Sequence, residues 1–195
     1  MPNQNLRVTF QIGCRFINNH HANYMRLIFL SIILLLSGCD KIEDLLTFNV
    51  SDTVSLTIPK TTILNLPVNL STPDITTSAK QEFSNNNTRA DLVKDVKLTE
   101  LSMDIKSPDG QTFSFLKSIH IYISTDGNDE LLLASLENIP MDVTSVNLTP
   151  TTEKLDRFLK SDTYRLRTTT VYRETFSEDI DLEIYLNFKV TADPL

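Results

Sequence analysis

Ile180-Asp-Leu-Glu-Ile-Tyr-Leu-Asn-Phe-Lys-Val190 is the stretch that decides the fold. Apolar and polar residues alternate through it without a break. A β-strand sends successive side chains to opposite faces, so period two means one face on a core and one in water. Tyr164, Leu166, Thr168, Thr170 and Tyr172 share one parity in the same way. So do Ile119, Ile121 and Ile123, and so do Val50, Val54, Leu56 and Ile58. Val96, Leu98, Met103 and Ile105 change parity between Glu100 and Ser102, as a strand does at a bulge. Thr62 to Leu70 is a further apolar run, which Pro67 confines to a sheet edge or a bulge. Leu131 to Ala134 adds another.

Asp109-Gly110 and Asp126-Gly127 follow two of these runs. Asp-Gly is a hairpin signal, because a type I′ turn needs positive φ at both central residues. Two hairpins are therefore expected there, with Phe113 and Phe115 in the strand after the first. Helical signals are few. Thr152 to Leu159 places Leu155, Phe158 and Leu159 on one side after Pro150. A turn or two is expected at Ala90 to Val96, and a helical turn at Ala79 to Phe83 within a polar loop. Seven or eight short strands make an all-β fold, an antiparallel β-sandwich of Ig-like architecture with one or two short helices. A small closed barrel is the runner-up.

The N-terminal part has a different texture. Leu27 to Leu36 is apolar except for Ser31, and Leu36-Ser37-Gly38-Cys39 ends it. Ten residues are too few to span a bilayer, which takes about 20. A basic residue (Arg26), a short apolar core and small residues before a cut site form a secretory signal. With its closing cysteine, the motif resembles the lipobox of bacterial lipoproteins. That resemblance implies acylation of Cys39 and cleavage before it. The expected organisation is a signal peptide over residues 1–38, formed as an N-terminal signal helix, then a tether over 39–46 and one β-sandwich domain over 47–195. Met25-Arg26 makes a compact signal alone, so Met25 is an alternative start. Cys14, His20 and His21 then carry no chemistry. Cys39-Asp-Lys-Ile-Glu-Asp-Leu-Leu and Val54-Ser-Leu-Thr-Ile-Pro59 together resemble small β-rich lipoproteins of Bacteroidota. The resemblance implies the cell envelope, with the outer membrane as the site and either leaflet open.

Charge narrows the partners. The 195 residues carry 18 basic and 25 acidic side chains, a formal charge of −7. A leader holding Arg7, Arg15 and Arg26 and no acid leaves 15 against 25 once removed. A surface of that sign repels nucleic acid, so the lipid on Cys39 is the expected membrane contact and no nucleic-acid partner is expected. A protein or ligand partner is left open.

Candidate chemistry is sparse. His120 lies on the outward parity of its strand and lacks a nucleophile motif beside it. Asp126, Asn128 and Glu130, spaced by two, form a weak calcium candidate, out of register with a full calcium loop. Glu178, Asp179, Asp181 and Glu183 form an acidic patch, expected to pair across strands with Arg165, Arg167 and Arg173. No phosphate-binding glycine loop and no tryptophan are present. The expectation is a non-enzymatic, lipid-anchored extracytoplasmic protein with a binding or structural role and no cofactor. A small adhesin or fimbrial accessory subunit and a secreted hydrolase are the alternatives.

Overall fold

A computed structural model describes residues 46–195. The signal peptide, Cys39 and nearly all of the tether lie outside the described residues. The strands are β1 (Thr47–Ile58), β2 (Pro67–Ser71), β3 (Ile75–Thr76), β4 (Val93–Ser107), β5 (Leu116–Ser124), β6 (Leu131–Glu137), β7 (Ser145–Asn147), β8 (Thr149–Pro150), β9 (Thr163–Tyr172) and β10 (Ile180–Ala192). Two short helices, α1 (Ala79–Asn85) and α2 (Asp156–Lys160), interrupt them. The order β1-β10-β4-β7 forms one antiparallel sheet. The order β2-β9-β5-β6-β8, with β3 also on β9, forms the other. The expected all-β sandwich is the fold observed.

Each parity set faces inward. Ile180, Leu182, Ile184, Leu186, Phe188 and Val190 of β10 are buried, and so are Ile119, Ile121 and Ile123 of β5. β10 lies between β1 and β4, hydrogen-bonded on both sides. β9 is equally central, and its inward Thr168 and Thr170 are fully buried. Their hydroxyls donate to the carbonyls of Leu70 and Val68 on the neighbouring edge strand. Those bonds offset the cost of burying a hydroxyl, roughly 1–3 kcal/mol when it is left unmet. The parity change in β4 is a bulge at Thr99, where Glu100 pairs with Asn187 and Leu98 with Phe188.

Both helices seal the core. Phe83 of α1 meets Phe48 edge to face at 6.1 Å. Leu155, Phe158 and Leu159 are buried, and the Leu155 amide donates to the Val96 carbonyl of β4. Residues 90–92 form a single 3-10 turn before β4 begins.

Three expectations require correction. Asp109-Gly110 does not close a hairpin: β4 and β5 belong to different sheets, so the connection crosses the sandwich. Phe113 and Phe115 accordingly sit in a 3-10 turn, buried under that crossing. Asp126-Gly127 does join the hairpin partners β5 and β6, but six residues separate the strands and only the glycine has positive φ. A type I′ turn is therefore absent. The acidic residues of β10 also do not face the arginines of β9, because those strands lie in opposite sheets.

Asp52 is the exception in the inward series of β1. Its carboxylate is buried, accepting the Tyr164 hydroxyl at 2.9 Å and the Ser78 amide at 2.9 Å. Burial, then the nearby carboxylate, pushes the Tyr164 hydroxyl far above its ordinary range, so it stays a donor. Tyr164→Phe leaves Asp52 with one partner and is expected to cost ~1–3 kcal/mol in chemical denaturation. An unchanged midpoint would show that this cross-sheet bond stabilises nothing. Gly127 has φ +81°, and a residue with Cβ there costs about 1–2 kcal/mol. Thermal melts of Gly127→Val should therefore fall below those of Asn128→Ala.

Candidate functional site

The strands give the sandwich two distinct ends. At one, Thr47 pairs with Thr191; at the other, Ile58 pairs with Ile180. A 12-residue strand at about 3.3 Å per residue separates them by roughly 36–40 Å. The loops following β1, β4, β6 and β9 gather at the second end, away from the point where the chain enters.

Four aromatic rings build the floor there. Phe115 lies 5.0 Å from Phe176 and 6.2 Å from Tyr172, Tyr172 lies 5.4 Å from Phe176, and Phe113 stacks on Phe115 at 6.1 Å. Burial raises the pKa of the Tyr172 hydroxyl. Above Phe115 and Phe176 opens a cleft of about 570 Å³, with Thr61, Gln111, Glu174 and Glu178 on its walls. A second cleft of about 590 Å³ is bordered by Asn65, Lys117, Asn138, Met141 and Arg173. Asn65 and Asn138 both take the left-handed conformation, which asparagine tolerates better than most residues. The Arg173 amide donates to Phe115, and its guanidinium donates to the Ile139 carbonyl, tying two loops together. Ile63, Leu64, Leu66 and Met141 are exposed at this end. Both clefts are open to solvent, with polar and apolar groups mixed in their lining.

The candidate residues read from the sequence are dispersed. His120 lies half-buried on the outer face of β5, its Nε2 3.2 Å from Glu137, and it lines neither cleft. Glu178 borders the first cleft, but its acidic neighbours do not join it. Asp179 accepts the Lys60 amide, Asp181 accepts the Thr57 hydroxyl at 2.7 Å, and Glu183 pairs with Lys106 at 2.8 Å. Arg165 is bound by Asp74. In the calcium candidate, Asp126 accepts the Asn128 amide, while Glu130 turns away to the guanidinium of Arg167. Among the described residues, no group of three or more histidines, cysteines or acids is placed to hold a metal ion. Cys39 lies outside the described residues.

Arg167, expected to pair with the acidic residues of the last strand, is bound instead by Glu130. It grips Glu130 through two bonds of 2.7 Å, also donates to Asn69 and Thr169, and stacks on the Tyr122 ring at 4.2 Å. This cluster clamps β2, β9, β5 and the β5–β6 turn together on the outer face. Strand parity placed Arg167 outward, but its partners come from elements that the sequence does not align.

No family model matches the chain, and no curated protein matches it. Solved structures similar to it include two plant-virus structures. One is titled Desmodium yellow mottle tymovirus: it is 10% identical, with 76% of this chain and 90% of that one covered at a TM-score of 0.27. The other is titled structure of Turnip Yellow Mosaic Virus at 100 K. It is also 10% identical, covering 74% and 94% at a TM-score of 0.24. Likeness of that degree says nothing about what this chain does.

The Arg167 bonds hold the Glu130 carboxyl below its ordinary 4.5. A depressed folded pKa stabilises the protein above the unfolded value and ceases to do so as pH falls through the folded one. Glu130→Gln should therefore reduce stability at pH 7 by no more than ~1 kcal/mol, as suits a partly exposed pair. The gap to the unsubstituted protein should close as pH falls below 4.5 towards and past the folded pKa. A gap independent of pH would locate the effect in packing.

Proposed function

We propose that this chain is a lipid-anchored extracytoplasmic β-sandwich, held in a bacterial cell envelope through acyl groups on Cys39, with a non-catalytic binding or structural role. The observation that carries the reading is Leu36-Ser37-Gly38-Cys39 behind a short apolar run, with the first strand beginning eight residues later at Thr47. The fold supports it. The chain enters the sandwich at one end, while two of its clefts and the exposed Ile63, Leu64, Leu66 and Met141 lie at the other, so a short tether leaves these accessible. Among the described residues no helix is long and apolar enough to cross a membrane. The acyl chains would then be the attachment, and two or more hold stably at ~0.8 kcal/mol per buried CH₂.

The non-catalytic part rests on how the polar groups are used. His120 faces Glu137 on a sheet surface, and Asp179, Asp181 and Glu183 each engage a different partner. General acid–base chemistry requires such groups to converge on a substrate.

Cys39→Ser tests the anchor. The variant should leave the membrane fraction or accumulate with its leader uncut, and incorporation of an alkyne-bearing fatty acid should vanish. Persistent acyl labelling of Cys39→Ser would overturn the reading.

A further inference from the structure

Sheet edges expose unpaired N–H and C=O groups, and proteins usually blunt them. Most edges here are blunted. β7 has three residues, β8 has two and ends on Pro150, and β2 has five and opens on Pro67. β1 differs. It runs 12 residues in unbroken register with β10 and contains no proline, glycine or basic residue. Its one charge, Asp52, points inward and is already engaged.

Ser78 shows which way the edge faces. Its hydroxyl donates to the Ser51 carbonyl at 2.9 Å, so that carbonyl points away from β10. N–H and C=O of one residue share a side of the strand, and the pattern repeats every second residue. Thr53, Ser55 and Thr57 therefore also present their backbone groups outward. Among the described residues, no partner meets these groups. Ser78 and α1 meet the strand in its first half, at Phe48, Ser51 and Asp52.

We propose that this half of β1 pairs antiparallel with β1 of a second copy of the chain, about a two-fold axis through Ser55. The strip is self-complementary. Thr53 of each copy lies opposite Thr57 of the other, and Ser55 lies opposite Ser55. The three facing pairs exchange about six backbone hydrogen bonds. Threonine pairs across strands are favourable, and this strip places no charge against its equal. That matters in a chain of net charge −7, whose overall charge opposes association with a copy of itself. A foreign peptide would find no charge on the strip to read. On the inner face Val54 and Leu56 keep 7% exposure, whereas Val50 and Ile58 have none. Pairing sets Val54 of each copy beside Leu56 of the other and covers that margin. The contact is isologous and closed, joining two four-stranded sheets into one of eight. Its axis stands perpendicular to the sheet, so both copies turn the same face the same way. The pairing does not depend on the lipid anchor.

The test uses the full chain in density-matched detergent. Sedimentation equilibrium should show a dimer at micromolar concentration. Ser55→Pro removes an N–H that makes no bond to β10, so circular dichroism should show an intact fold while association weakens roughly tenfold or more. Ser55→Cys supplies a second measurement. Paired Cα atoms ~5.5 Å apart lie within disulfide range, so mild oxidation should yield a 55-to-55 cross-linked peptide by mass spectrometry. Lys189→Cys, on the outer face of β10, should yield none. A monomer throughout, an equally strong Ser55→Pro dimer, or no 55-to-55 cross-link would each overturn the proposal.

Discussion

Strand β10 is the constraint on which the rest of the structure depends. It is hydrogen-bonded along its length to β1 on one side and β4 on the other, and its inward side chains are almost completely buried. A strand so placed cannot slip by one residue, because a slip would bring Asp181, Glu183 and Lys189 to the core and Leu182, Ile184 and Phe188 to water. Its fixed register fixes the parity of both neighbours. The bulge at Thr99, one of three register shifts between the two strands, follows from this: there β4 carries one residue more than β10 can match, and the bulge returns Leu101 and Met103 to the core.

A second set of contacts holds the sheets against one another. Asp52 and Tyr164 reach across the core from opposite sheets, and the Ser78 amide completes the carboxylate's bonding. At the far end the rings of Phe115, Tyr172 and Phe176 do comparable work through area and edge-to-face geometry. No cysteine lies among the described residues, so their fold holds together without a disulfide. Packing and a few well-met polar groups do the work of a covalent staple.

The surface chemistry follows a different rule. Several ionised groups pair with an element distant in sequence: Glu130 with Arg167, Glu183 with Lys106, Asp74 with Arg165. Such pairs orient side chains and contribute little stability individually. They also leave few of these groups free to converge.

The alternation in β1, β5, β9 and β10, the edge status of β2 at Pro67 and the amphipathic turn at Phe158 were determined by the sequence itself. Each depends on side chains within one element, where periodicity and backbone stereochemistry act locally. Gly110 and Gly127 were legible as positive-φ positions for the same reason. Only the tertiary structure decided which strands share a sheet. Asp-Gly marks a bend, but the bend after β4 crosses to the other sheet, because β4 pairs with β10 and β7 and its successor β5 pairs with β6 and β9. Strand pairing is a competition among segments far apart in the chain, settled by which faces bury together. That competition separated the acids of β10 from the arginines of β9, brought Asp52 to Tyr164, and left β1 at an open edge.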